Sequence, residues 1–225
     1  MKPITVLLAE DHTMVREGLR IMLNPETDIE VIGEAPNGRR AVAMALELRP
    51  DVVVMDIAMP GLNGLEATRQ LLKELPKTKV IILTAHCDDA YVQSATDSGA
   101  VGFLLKQDTA HDVSIAIREA YRGRTFYSAS VSRRMGRLNT KSRDRAGKIQ
   151  TKPSVLTSRE MEVLQLIAEG KANKETASDL GISIKTVEKH RGHLMEKLDI
   201  HDTAGLTRHA IATGIIESSV QVTII

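Results

Sequence analysis

Five side chains in the first half of the chain stand where an apolar run stops. LLAEDH (7–12) ends on Glu10 and Asp11, and VVVMDIAMPGLNG (52–64) sets Asp56 after four apolar residues and ahead of a Pro-Gly turn. VIILTAH (80–86) closes on Thr84, and GFLLK (102–106) closes on Lys106. Three carboxylates gathered in one place repel one another and need a cation. Oxygen ligands of this kind, completed by water, suit Mg²⁺ or Mn²⁺ better than zinc. With a divalent ion, the Lys106 ammonium and the Thr84 hydroxyl would bind the three oxygens of a phosphoryl group. That is the electrostatic stabilisation that transfer to Asp56 mainly requires. His12 and His86 flank these residues and take no role, because the acids already form a complete hard-cation site. No Ser-His-Asp order, P-loop or GxGxxG accompanies them, so the set does not read as a hydrolase for external substrates.

These residues can meet only if the elements before them lie side by side. ITVLLA (4–9), IEVIGE (29–34), DVVVM (51–55), KVIIL (79–83) and VGFLL (101–105) read as strands; helical spacing fills 13–23, 38–48, 64–75, 88–98 and 109–121. Ala41, Met44, Ala45 and Leu48 mark one such helix face. Five strand–helix repeats predict a doubly wound α/β domain, a five-stranded parallel sheet with helices on both faces. VVVM and VIIL are continuously apolar, as strands buried on both sides should be. In open sheets of this kind the binding crevice lies beyond the carboxyl ends of the strands, which is where all five residues fall. The single Cys87 behaves as a small core hydrophobe and is assigned no chemistry.

LLAEDH, MDIAMPGLNG, ILTAH and GFLLK together resemble the receiver domain of bacterial two-component response regulators, over about residues 3–122. The resemblance implies a flavodoxin-like fold in which Asp56 accepts a phosphoryl group from a phosphohistidine on a sensor histidine kinase. It also implies that Glu10, Asp11, Asp56 and the backbone carbonyl of Ala58 hold Mg²⁺ and that Thr84 and Lys106 contact the phosphate. Phe103 takes the position of the family's switching aromatic, where a plain core aromatic would fit equally. An enzymatic aspartyl-phosphate hydrolase would need a second carboxylate two residues after the nucleophile, and that position is Ala58; the protein is therefore not expected to be an enzyme beyond promoting its own phosphorylation and dephosphorylation.

After Pro153 the pattern is wholly helical. LTSRE (156–160) opens with a Thr157–Glu160 capping box, and Leu156 and Met161 sit where a hydrophobic staple closes. Met161, Leu164, Ile167 and Ala168 mark the buried stripe, and Gly170 ends the helix. A short helix over about 173–180 stops at Gly181, and Ser183 caps a longer one, giving a helix-turn-helix. Turning the second helix by about 100° per residue puts Val187, Leu194 and Leu198 on one side and Lys185, Lys189, Gly192 and Glu196 opposite. A helix held by that apolar face and offering Lys185, Thr186, Lys189 and nearby Arg191 suits the DNA major groove. Gly192 either allows close approach to a duplex or is merely a weak point.

LTSREMEVL, NKE and TVEKH resemble the LuxR-type output domain, a four-helix DNA-binding unit, across about residues 154–217. That resemblance implies DNA contact from Lys185, Thr186, Lys189, His190 and Arg191, with Asn173 and Lys174 near phosphates. His190 points partly inward and fits packing as well as contact. Glu188 and Gly192 stand where some members carry lysine, and HDTAGL departs from the family's usual pattern. The last helix, about 203–214, resembles the family's dimer surface through Leu206, Ala210 and Thr213, although core packing explains those residues equally.

Charge divides the chain. Residues 1–131 sum to −4, residues 132–152 to +7 and residues 153–225 to −2. The basic stretch lacks hydrophobic periodicity, so the expected organisation is a receiver over 1–125, a basic flexible linker over 126–152 and a helix-turn-helix domain over 153–225. Aromatics make up only 2% of the chain, which leaves charge and helix geometry, not base stacking, to carry nucleic-acid binding. No apolar run approaches the ~18 residues of a membrane span, so no membrane partner is expected and the cytoplasm is the expected compartment. The halves together resemble a response regulator of the NarL/FixJ type. That resemblance implies a transcription factor, phosphorylated at Asp56, that forms homodimers on double-stranded DNA. A helical half that binds protein or RNA is the rival reading, which TVEKH disfavours.

Overall fold

The computed structural model describes residues 2–85, 94–129, 131–132 and 156–216. The chain divides into two compact units, Met1–Pro153 and Ser154–Ile225.

The first unit alternates β1 (Ile4–Ala9), α1 (Thr13–Leu23), β2 (Ile29–Ala35), α2 (Gly38–Leu48), β3 (Val52–Asp56), α3 (Gly64–Glu74), β4 (Lys79–Thr84), β5 (Gly102–Leu105), α4 (Ala110–Tyr121) and β6 (Phe126–Tyr127). The strands run in parallel in the order β2-β1-β3-β4-β5-β6. Alternation along each strand sorts the apolar side chains to two faces. Leu7, Val53, Met55 and Ile82 pack with Ala41, Ala45, Ala67 and Leu71 of α2 and α3. Val6, Leu8, Val54, Ile81 and Leu104 pack with Leu19, Leu23, Val113 and Ile117 of α1 and α4. Burial on both sides is why these strands read as unbroken apolar runs. Strand order reverses at β1 and β3, so the chain leaves the two strands toward opposite sides and opens a crevice beyond their carboxyl ends.

A sixth strand corrects the expected count of five. Phe126 and Tyr127 pair with Gly102 and Phe103 of β5, and Phe126 N–H donates to Val101 O at 3.0 Å. Ser128 and Val131 are buried beside them, Val131 in the α2/α3 face of the core. The packing of this unit therefore reaches into the stretch expected as linker. Two residues are too few to carry a strand's periodicity, and pairing with β5 is what makes them one. Residues 133–152 of that stretch lie outside the described residues, as do His86, Cys87 and most of the expected 88–98 helix.

The second unit contains α5 (Ser158–Ala168), α6 (Asn173–Leu180), α7 (Ile184–Leu198) and α8 (Thr203–Ala212). The Thr157–Glu160 capping box is formed, Thr157 N–H donating to Glu160 Oε2 at 2.8 Å and Glu160 N–H to Thr157 Oγ1 at 3.3 Å. Lys197, near the end of α7, donates to the same Glu160 Oε2 at 2.6 Å. Gly181 ends α6 in the left-handed conformation (φ 62°), which glycine adopts without a Cβ penalty. Arg159 of α5 donates to Leu180 O at 2.7 Å and so holds the turn from behind. Val163, Leu164, Leu166, Ile167, Val187 and Leu194 form the shared core. Among the described residues of the chain no helix is long and apolar enough to cross a membrane.

One backbone contact ties the sheet to the crevice. Gly64, first residue of α3, donates to Ile57 O at 2.8 Å, and a Cβ on it would run into the Asp56 carbonyl. Gly64→Ala must push α3 away from β3 and should destabilise the full chain by about 2 kcal/mol or more. Urea unfolding measures this; wild-type stability in the variant would contradict the packing described.

Candidate functional site

Because β1, β3, β4 and β5 are consecutive in the sheet, the residues that end them share one edge. Glu10 and Asp11 follow β1, Asp56 ends β3, Thr84 ends β4 and Lys106 follows β5. Glu10, Asp56 and Thr84 are buried, while Asp11 and Lys106 are partly exposed. Glu10 N–H continues the ladder to Ala35 O at 3.0 Å, and Lys106 N–H donates to Thr84 O at 2.8 Å. The loop after β5 is fixed by Leu105 N–H donating to Asp108 Oδ2 at 2.7 Å.

Lys106 closes the group from one side. Its Nζ lies 3.0 Å from Glu10 Oε1, 2.9 Å from Glu10 Oε2 and 3.0 Å from Asp56 Oδ2. The other Asp56 oxygen accepts from Ile57 N–H at 2.8 Å. His12 Nδ1 sits 2.8 Å from Asp11 Oδ1 and 3.1 Å from Glu10 Oε1, while His12 N–H donates to Glu10 Oε1 at 3.0 Å. One ligand atom from each of Glu10, Asp11, His12 and Asp56 can be chosen so that all lie within 4.8 Å of one another. Glu10 Oε2, Asp11 Oδ1 and Asp56 Oδ2 are shut off from solvent and receive no directed hydrogen bond, although Lys106 and His12 approach them at ion-pair distance. One such oxygen from each of three acids is the donor set of a hard divalent cation.

The electrostatics follow from this crowding. Burial pushes the Asp56 carboxyl up to about 7, the Glu10 charge adds to the rise, and Lys106 opposes it. Burial alone would lower the Lys106 ammonium; its pairing with Asp56 and Glu10 outweighs that and raises it. The Asp11 charge and the hydrogen bond to Glu10 raise His12. His12, given no role on sequence grounds, is therefore in the cluster.

Ala58 lies two residues beyond Asp56, half-buried in the loop that Met59 and Gly64 tie back to Ile57 O. Phe103 is 1% exposed and belongs to the α2/α3 face of the core, facing Ile82 and Tyr127 in the ladder.

In the second unit Lys185, Glu188, Lys189, Gly192, His193 and Glu196 of α7 are exposed and Val187 and Leu194 are buried, as the helical wheel required. Thr186, His190 and Arg191 are half-buried. The Thr186 hydroxyl is 2.8 Å from Ser183 Oγ, part of the cap that starts α7. Arg191 reaches Asn173 Oδ1 at 3.3 Å and Thr203 Oγ1 at 2.7 Å, so it joins the first residues of α6 and α8 to α7. Lys174 is exposed and Asn173 half-buried. The expected dimer surface is not what its residues form. Leu206 and Ala210 are fully buried in the core of the unit, and the half-buried Thr213 donates its hydroxyl to His209 O at 2.7 Å. Their periodicity marks an inward face.

Comparison with known proteins agrees with both units. Residues 6–118 match the response regulator receiver domain, and residues 154–210 match the LuxR family of bacterial regulatory proteins. The chain is 44% identical to the transcriptional regulatory protein LiaR of Bacillus subtilis over 199 residues, covering 88% of this chain and 92% of LiaR. It is 39% identical to the response regulator VraR of Staphylococcus aureus over 214 residues, covering 95% and 99%. A solved complex of the two-component response regulator RcsB with DNA superposes with a TM-score of 0.58 at 26% identity, covering 92% of this chain and 98% of that one. The chain thus belongs to the two-component response regulators that join a receiver domain to a LuxR-type DNA-binding domain, the transcriptional regulators of NarL type.

Proposed function

We propose that Asp56 is the phosphoacceptor of this regulator, that Glu10, Asp11, Asp56 and the Ala58 carbonyl hold Mg²⁺ or Mn²⁺, and that phosphorylation controls dimerisation and DNA binding. The observation that carries this reading is the Lys106 ammonium spanning Glu10 and Asp56 where three carboxylates are already clustered. The donor is a phosphoimidazole on a sensor histidine kinase. An Asp56 oxygen forms the O–P bond as the N–P bond breaks, and the leaving imidazole takes its proton from solvent. The bound cation supplies charge neutralisation for the transferring phosphoryl oxygens. Lys106 and Thr84, at the ends of β5 and β4, meet the remaining oxygens.

An aspartyl phosphate adds about −1.5 to −2 charges to the crevice. Lys106 and Thr84 move toward it, and the strands they terminate carry the change to Phe103 and the β4–β5 side of the receiver. Two LuxR-type units then pair and set their α7 helices about one DNA turn apart, roughly 34–36 Å. The RcsB–DNA complex supports DNA as the ligand of the second unit. The exposed Lys185 and Lys189 support α7 as the element that enters the major groove. Arg191 and Thr186 contribute mainly by holding α7 in place, since their side chains are engaged within the unit.

Incubation with a small-molecule phosphodonor and Mg²⁺ should label the wild-type chain and not Asp56→Asn. Unchanged labelling of that variant would rule out Asp56. On a duplex that the protein binds, Lys185→Ala with Lys189→Ala should lower the slope of log affinity against log salt by about two, one per lost phosphate contact. An unchanged slope and affinity would overturn the assignment of α7.

A further inference from the structure

The start of α1 lacks what stabilises a helix start. Its N-cap, His12, makes no side-chain cap, and its first turn holds no acid. Arg16, one turn in, sets a cation near the positive end of the helix dipole, where cations are disfavoured. Such local faults need a compensating contact elsewhere.

Arg16 makes that contact. Its side chain is 15% exposed. Nη1 donates to the Glu10 carbonyl at 2.6 Å, and Nε lies 3.3 Å from Glu34 Oε2 on β2. Glu34 is held in turn by Arg20, 3.3 Å away through its other oxygen. Glu10 N–H is already bound to Ala35 O at 3.0 Å. The backbone on both sides of the Glu10 Cα is therefore gripped, the N–H by β2 and the C=O by Arg16, where the chain carries two of the three acids.

We propose that Arg16 is a positioning residue for the cation site: by clamping the Glu10 carbonyl against Glu34 it fixes the direction in which Glu10 and Asp11 present their oxygens. This rests on the reading that Glu10, Asp11 and Asp56 hold a divalent cation. Arg16 does not touch the cation, and its own positive charge repels one. The two effects have opposite signs. Loss of charge alone would tighten cation binding, whereas loss of the clamp weakens it.

The test is Mn²⁺ binding to the full chain, read from the electron paramagnetic resonance signal of free Mn²⁺, with thermal unfolding of each variant followed in parallel. Arg16→Met should weaken Mn²⁺ about tenfold, the scale expected for removing a group that orients metal ligands. Arg16→Lys should fall between Met and wild type, because an ammonium reaches the carbonyl but cannot also span to Glu34. Unchanged or tighter binding in Arg16→Met overturns the proposal, as does a variant whose melting temperature falls while its Mn²⁺ affinity stays. If Arg16→Met does not fold, wild-type affinity in Arg16→Lys overturns it. Asp11→Asn separates the underlying reading: Mn²⁺ bound equally well by that variant, or not bound by wild type, removes the cation site and this inference with it.

Discussion

Mutual repulsion among three clustered carboxylates, those of Glu10 and Asp56 buried, is the constraint around which this edge of the receiver is organised. Buried like charges are tolerated only when a cation shares the space. In the structure Lys106 does part of this, touching Glu10 and Asp56 at about the same distance. Burial, with the Glu10 charge adding to it, still raises the Asp56 carboxyl to about 7. On the proposed reading a divalent ion held by Glu10, Asp11 and Asp56 would relieve the same repulsion more completely, and Lys106, less needed by the carboxylates, would be available to an incoming phosphoryl group. Cation binding and phosphate recognition would then be two responses to one surplus of negative charge.

The surplus persists because the backbone does not let the acids move apart. Parallel pairing of β1, β3, β4 and β5 sets their carboxyl ends side by side, and buried apolar residues on both faces lock the register. The close approach of Gly64 to Asp56 brings the start of α3 against β3, while β2 and Arg16 hold Glu10 from either side. In the second unit a comparable logic orients α7. Val187 and Leu194 anchor it from inside, the Ser183 cap fixes where it begins, and Arg191 ties it to α6 and α8, leaving Lys185 and Lys189 outward.

Much of this is legible in the sequence. Doubly buried strands appear as unbroken apolar runs, so an acid, hydroxyl or lysine at their ends stands out; Glu10, Asp11, Asp56 and Lys106 lie close together, and Thr84 ends the strand between β3 and β5. Capping residues at Thr157, Gly181 and Ser183 were readable because they act on backbone groups within three or four positions. β6 was not, since pairing with β5 and not local pattern creates it. The apolar side of α8 was visible, but periodicity cannot say whether such a side meets its own core or a partner; Leu206 and Ala210 meet the core. The parts played by His12, Arg16 and Arg191 depend on which side chains fold next to them, and no spacing rule reports that.

The claim that one cation-binding cluster of acids underlies the signalling chemistry is tested most directly by counting protons. Titrating Mg²⁺ into the full chain by calorimetry, in buffers of different ionisation enthalpy, gives the number released per ion. With Asp56 at about 7, its carboxyl is largely protonated near pH 6 and must ionise to bind. The account predicts release of at least about one proton per Mg²⁺ near pH 6, from Asp56 together with any that His12 loses as the ion takes Asp11 and Glu10 from it, and clearly less near pH 8. Absence of Mg²⁺ binding, or binding with no proton released near pH 6, would contradict it.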